Sequence, residues 1–305
     1  MTAITASMVK ELREKTGAGM MDAKKALTEA NGDVEAAMEE LRKKGMAKAD
    51  KKSSRTAAEG LVAVVTSGTK GAVIELNSET DFVSRNEEFQ GFVEAVAQKA
   101  LDVDGVDALA AAELNGKPVK DALTDLVAKI GEHMSLRRCE KLEVSQGAVV
   151  SYVHGALKDG LGKIGVLVAL ESDASADALN ALGKQVAMHV AAAFPKYLDR
   201  DSVDAAEMEK ERTFLIDQAK AEGKPQEIAE KMVEGRMRKY YEEICLLDQK
   251  FVIDGETRIA DVVANAAKEA GAEIKLVGYS RVQLGEGIEK EEEDFAAEVG
   301  KVANG

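Results

Sequence analysis

LVAVVTSGTKGAVIELN, residues 61–77, reads as a hairpin: strands from Leu61 to Thr66 and Ala72 to Asn77 flank the turn Gly68-Thr69-Lys70-Gly71. A helix from about Asn86 to Leu101 follows, with Phe89, Phe92, Val93 and Val96 facing in. Val119, Leu123, Leu126 and Ile130 mark a further helix, and an extended stretch runs from Met134 to Val144. The order is strand, strand, helix, helix, strand. From Gly147 the chain repeats it with Ala148 to His154, a glycine-rich turn, Ile164 to Leu170, and a helix through Leu179, Leu182, Val186 and Val190. A helix from Arg258 to Ala270 and a strand carrying Ile274, Leu276, Val282 and Leu284 complete the second copy. Two similar halves, each a mostly antiparallel sheet with helices packed on one face, make the fold class α+β.

Ahead of this core, Ile4, Met8, Val9 and Leu12 recur at helical spacing, Gly17-Ala18-Gly19 breaks the run, and Met20 to Ala30 resumes it. Asn31-Gly32 turns into a third helix with Val34, Ala37, Met38 and Leu41 on one face, and Gly45 is its expected stop. Arg42, Lys43, Lys44, Lys48, Lys51, Lys52 and Arg55 then stand against the single acid Asp50 with no apolar period, which reads as a linker. Inside the second copy, Asp201 to Glu243 is too charged for a core, and Gly223-Lys224-Pro225 breaks it into two arms of about 20 residues, each roughly 30 Å long if helical. Ala229, Val233, Met237, Tyr240, Ile244 and Leu247 form a stripe for a partner helix, so an antiparallel helical hairpin is expected. The tail from Ile288 to Val302 offers Phe295, Val299 and Val302 as a detachable helical face. The partition is therefore 1–46, a three-helix module; 47–59, a basic linker; 60–145, the first half; 146–199 with 248–285, the second; 200–247, the hairpin; and 286–305, a C-terminal helical module.

Composition narrows the function. The 305 residues are 45% hydrophobic but only 4% aromatic, without Trp, and carry a net charge of −14, so nucleic acid and anionic lipid are poor partners. No run approaches the roughly 20 apolar residues of a membrane span. The N-terminus lacks the features of a secretory signal, and Cys139 and Cys245 do not resemble a disulfide framework, so a cytoplasmic protein is expected. Gly160-Leu161-Gly162-Lys163-Ile164-Gly165 matches G-x-G-x-x-G, yet it opens a strand instead of a helix, where no pyrophosphate would meet a helix N-terminus. His133, His154 and His189 have no metal-ligand spacing, and the carboxylates are scattered, so no catalytic residue, metal or cofactor is assigned and an enzyme is not expected. His189 reads as a partly buried helix residue, while His154, followed by Gly155, either caps a turn or touches a partner.

The segment Ser78-Glu79-Thr80-Asp81-Phe82-Val83 admits two readings. A helix entry has Ser or Thr as N-cap, Asp81 at the positive helix end and Phe82 as a hydrophobic staple. An acid and a large aromatic at a strand-to-helix corner also suit a protruding wedge that inserts into another protein.

VKELREKTGAGMMDAKKALTEANGDVEAA at 9–37, TDFV at 80–83, GKIGVLV at 162–168, QVAMHVAA at 185–192 and IAEKMVEGRMRKYYEEICLL at 228–247 together resemble bacterial translation elongation factor Ts. The resemblance covers nearly the whole chain. It implies an N-terminal module of the ubiquitin-associated (UBA-like) type, a core of two similar subdomains, a helical hairpin of the coiled-coil kind and a C-terminal helix. It also implies a guanine-nucleotide exchange factor for elongation factor Tu, bound in its GDP and nucleotide-free forms. By that resemblance Thr80, Asp81, Phe82 and Val83 belong to the segment that intrudes beside the partner's Mg²⁺ and phosphate site. Arg13, Met20 and Met21 would dock on its nucleotide-binding domain, and His154 would face its third domain. Two departures stand out: Ala23 where the family often has Cys, and Lys250 where Pro is common.

Rival readings remain open on sequence alone. A non-catalytic adaptor would recruit partners through the three-helix module and the hairpin without affecting nucleotide. An oxidoreductase rests on the misplaced glycine motif, residues 42–55 suit an RNA contact, and self-association as a homodimer or within a 2:2 complex is compatible with the core and hairpin.

Overall fold

The computed structural model describes residues 3–223 and 225–289. Three helices open the chain: α1 (Ala6–Thr16), α2 (Met20–Glu29) and α3 (Val34–Lys52). Thr5 and Asp33 cap α1 and α3 through side-chain oxygens that accept from Met8 N and Ala36 N. Leu12, Ala23, Ala26, Leu27 and Ala37 form their common core, ringed by Ile4, Met8, Val9, Val34, Met38 and Leu41.

The third helix does not stop at Gly45. It runs on to Lys52, so the basic stretch expected to be a linker is largely the last part of α3. Alanine, lysine and arginine are good helix formers, and this stretch docks through small residues that leave no apolar period to read. A Cβ on Gly45 would stand 3.0 Å from the Ala128 Cβ of the core, so glycine lets the helix cross here without displacing its neighbour. Ala49 packs on the first-half core, and Lys52 donates from Nζ to the Gly131 carbonyl.

The first half is β1 (Glu59–Ser67), β2 (Lys70–Ser78), the one-turn α4 (Asp81–Ser84), α5 (Glu87–Ala100), α6 (Gly105–Ala111), the short β3 (Glu113–Leu114) and β4 (Lys117–Pro118), α7 (Val119–Ile130) and β5 (Met134–Glu143). The second is β6 (Gly147–His154), β7 (Leu161–Gly162), β8 (Ile164–Ser172), α8 (Ala176–Ala193), then α9 (Ala205–Ala221) and α10 (Gln226–Ile244), and finally α11 (Ile259–Ala270) and β9 (Ile274–Gln283). The α4 turn, α6 and the two-residue strands β3, β4 and β7 are additions to the expected order.

One large sheet runs β5-β2-β1-β7 and a second β6-β8-β9, while β3 and β4 pair as a separate two-stranded ribbon, and all these pairings are antiparallel. Val62, Val64 and Val73 meet Val149, Leu167, Ala169 and Val282, so the two large sheets stack face to face. The opposite faces carry helices: Leu61, Ile74 and Leu76 lie under α5 and α7, while Val150, Val166, Val168 and Leu170 lie under α8 and α11. Helices do cover one face of each sheet, as expected, and the other face is taken by the second sheet. Strands buried on both sides need apolar residues at every position, which is why 61–65 and 164–170 run unbroken instead of alternating.

The halves repeat in detail. Gly60 and Gly147 both take positive φ (118° and 125°), and a Cβ on either would sit 2.2 Å and 2.0 Å from the carbonyls of Leu76 and Leu170. Each half also has a register shift at the matching place, after Glu75 in β2 and after Ala169 in β8. β7 crosses over to pair with β1 and ties the halves together.

Helices α9 and α10 lie against each other, with Leu215, Ala219 and Val233 buried between them and Tyr197 and Tyr240 donating to Glu207 at the base. At that base His189 is fully buried; its Nδ1 accepts from Val252 N and its Nε2 donates to Gln249 Oε1 at 2.9 Å, which fixes the neutral ring. Gln249 in turn donates to the carbonyls of Ala193 and Glu243, closing the hairpin onto α8. The apolar face expected from Phe295, Val299 and Val302 lies outside the described residues.

Candidate functional site

The corner between β2 and α5 is built by contacts distant in sequence. Thr80 donates from its amide to Glu132 Oε2 at 2.9 Å and from its hydroxyl to Glu132 Oε1 at 2.7 Å. Ser78 Oγ donates to the Thr80 carbonyl at 2.9 Å, and Ser84 Oγ donates to the Gly60 carbonyl at 2.9 Å. Glu79 accepts from the His133 amide and from Arg55 at 3.3 Å. Asn86 then caps α5 by accepting from Glu88 N and Phe89 N. Both ends of the α4 turn are therefore held.

On that turn Val83 is 3% exposed and Phe82 is 75% exposed. Successive helical residues differ by about 100°, and here that step turns Val83 into the core and Phe82 out to solvent. Phe82 therefore does not act as the expected staple, and Val83 is the residue of this turn that joins the first-half core. Thr80 does occupy the N-cap position, but its hydroxyl serves Glu132, and no side-chain cap bond closes α4. Asp81 is exposed beside Arg85 at 3.4 Å, an ion pair worth little in solvent. Leaving a phenylalanine in water on a fixed corner forgoes roughly 1.5–3 kcal/mol of burial.

Register brings the other predicted residues to the same end of the molecule. A Cβ on Gly17, in the α1–α2 turn, would stand 2.9 Å from Lys129 Cε near the C-terminus of α7, three residues before Glu132. Arg13 donates from Nε to the Ala18 carbonyl at 3.3 Å across that turn, and Met20 and Met21 open α2 at 62% and 77% exposure. His154 ends β6, exposed, with the Tyr152 hydroxyl 3.2 Å from its Nδ1. Its carbonyl accepts from Lys163 N, the Lys163 carbonyl accepts from Leu284 N, and Gly285 packs on Ala58 just before β1. This places His154 at the end of the stacked sheets where β1 starts and β2 finishes.

Glu132 and Glu75 were not signalled by any motif. Glu75 is fully buried in β2 and receives Arg137, Arg138, the Asn77 amide and the Gly285 N–H. Burial alone would raise its pKa, but the Gly285 N–H, Arg138 and Asn77 outweigh that and hold it below the usual range.

The basic stretch is engaged within the chain. Arg42 and Lys43 pair with Glu39, Lys44 with Glu29 and Glu40, Arg55 with Glu79, and Lys52 with a carbonyl, which weakens the RNA reading. The glycine motif spans β7 and the start of β8, so it opens a strand and not a helix. Among the described residues no group of three or more His, Cys, Asp or Glu is placed to hold a metal ion, and no helix is long and apolar enough to cross a membrane.

The sequence model of the family described as Elongation factor TS matches residues 79–286. Elongation factor Ts of Paramagnetospirillum magneticum is 61% identical over 302 residues, covering 98% of this chain and 97% of the relative. The chain belongs to the elongation factor Ts family. The same-named proteins of Rhodospirillum rubrum and Agrobacterium fabrum are 60% and 58% identical, covering 98% and 100% of this chain and 98% and 100% of themselves. The elongation factor Ts match takes in Thr80–Val83, Glu132 and His154, and the full-length relatives carry the likeness through the helices that hold Arg13, Met20 and Met21.

Proposed function

We propose that this chain is a translation elongation factor that binds elongation factor Tu in its GDP form and promotes GDP release so that GTP can enter. The observation that carries the reading is Phe82, 75% exposed on a corner pinned by Glu132. A rigid aromatic presented to solvent loses little conformational freedom when it inserts into a partner. The Thr80–Val83 segment would intrude beside the partner's Mg²⁺ and phosphate site, with Asp81 adding a negative charge where the metal and phosphates are balanced.

The mechanism is coupling and makes or breaks no covalent bond, so the chain is not an enzyme in the chemical sense. If it binds the nucleotide-free partner more tightly than the GDP complex, it must loosen GDP by the same factor. Contacts made by Arg13, Met20 and Met21, with His154 on the core, supply affinity that offsets the distortion the corner imposes. Incoming GTP then displaces the factor. In this reading residues 1–46 form a UBA-like module, 60–145 and 146–199 with 248–285 the two core subdomains, 200–247 a coiled-coil hairpin and 286–305 a C-terminal module. The setting is the cytoplasm, with a homodimer or a 2:2 complex compatible and nucleic acid and membrane not required.

The test loads elongation factor Tu with a fluorescent GDP analogue, chases with excess GDP, and follows dye release with catalytic amounts of this chain. Acceleration supports the reading. Binding without acceleration favours the adaptor.

A further inference from the structure

A buried carboxylate is expensive unless its partners are well placed, so its presence calls for a reason. Glu75 lies in β2 with no exposed surface, and the register shift beside it lets neighbouring Arg137 and Arg138, on β5, both reach it. The second half supplies an internal control. Its equivalent strand has Ala169 at this place, and across the matching shift stand Val277 and Gly278, with no charge among them. The repeated fold therefore does not require a buried ion cluster here.

What the first half has and the second lacks is the Thr80–Val83 corner, and Glu75 leads to it. Glu75 Oε1 accepts from Asn77 Nδ2 at 3.0 Å, and the same Nδ2 donates to the Glu59 carbonyl at 3.3 Å, fixing the end of β2 against the start of β1. The next residue, Ser78, is buried and donates to the Thr80 carbonyl. From the other side Gly285 N donates to Glu75 Oε1 at 2.7 Å, and Arg137 and Arg138 donate to the carbonyls of Glu286 and Gln283, each at 2.7 Å. The cluster thus clamps the end of β9 to the strand that delivers the corner.

We propose that Glu75 is a positioning residue: with Arg137, Arg138 and Asn77 it sets the orientation of the Thr80–Val83 corner and hence of Phe82. The partner-dependent half of this inference rests on the exchange reading above, and the other half does not.

The first measurement needs no partner. In full-length Glu75→Gln, amide hydrogen exchange over Thr80–Asn86 should rise by at least about tenfold, while β6 and β8 amides change by less than about threefold. Unchanged exchange at the corner overturns the proposal. If Glu75→Gln loosens the whole chain, Arg137→Met replaces it, since this side chain is 30% exposed and Arg138 remains to hold the carboxylate. The same local pattern, weaker, is then expected, and its absence overturns the proposal.

The second measurement uses elongation factor Tu. Glu75→Gln should lower the maximal rate of GDP release by about tenfold with affinity changed less than about threefold, and should add no further loss once Phe82→Ala is present. Additive losses, or an equal fall in affinity, mean general destabilisation and overturn it. Should wild-type chain fail to accelerate release, the exchange reading falls while the amide measurement still decides the role of Glu75.

Discussion

After β8 the second half turns into its helix with Ser175 as a plain N-cap, donated to by Ala178 N. After β2 the first half takes a longer path: Ser78 to Asn86, with the α4 turn, Glu132 reaching in from beyond α7, and Phe82 left in solvent. The strands feeding both corners are the same in length, register shift and glycine placement. The comparison separates what a repeated scaffold needs from what has been added to it. Ser175 shows that a simple cap suffices to start such a helix, so Phe82, Glu132 and Glu75 answer some other requirement.

Phe82 and Phe89 sharpen this most. They lie seven residues apart in one segment, yet Phe89 is fully buried. Phe89→Ala is expected to cost about 3–5 kcal/mol by chemical denaturation, whereas Phe82→Ala should stay within about 0.5 kcal/mol. A comparable loss for both would mean that Phe82 packs in solution.

Glu132→Ala removes both acceptors from Thr80 and should cost roughly 1–3 kcal/mol. It should also loosen Thr80–Asn86 in hydrogen exchange without touching the Ser175 corner. Equal loosening at both corners would erase the distinction between them.

Much of this architecture was legible in the sequence. The repeat showed because doubly buried strands must be continuously apolar, as at Leu61–Val65 and Val166–Leu170. The corner was only half legible, since one helical turn is too short for periodicity to tell Phe82 from Val83. Glu132 gave no signal because it acts across 52 residues, and Glu75 gave none because the arginines that reach it lie 62 and 63 residues further on. The extension of α3 was missed for a related reason: it docks through Gly45 and Ala49, which leave no apolar stripe.

A smaller effect separates affinity from release. Replacing Arg13, Met20 and Met21 together by Ala should weaken binding to elongation factor Tu by about tenfold, roughly 1.4 kcal/mol, while release at saturating factor stays near wild type. A fall in saturated release instead would place these side chains in the same role as the corner.

Acid should distinguish the halves by a still smaller margin. Burial pushes the His189 imidazole below its usual pKa, only partly opposed by Gln249. The unfolded chain takes up that proton near pH 6.5 more readily than the folded one, so this stability is full above that pH and is lost as pH falls below it. Glu75 is likewise held below the usual carboxylate range, so its contribution is lost only as pH drops below about 4.5. Between pH 7.5 and 5.5 wild type should therefore lose roughly 2–4 °C more in Tm than His189→Gln. Parallel slopes would show that His189 does not govern this window.

The central claim is that the corner added to the first half drives nucleotide release. The direct measurement is the rate of fluorescent GDP release from elongation factor Tu at saturating factor, for wild type and for Phe82→Ala. The account predicts strong acceleration by wild type, reduced by at least about tenfold in the variant, with binding nearly retained. Equal release by the two proteins would contradict it.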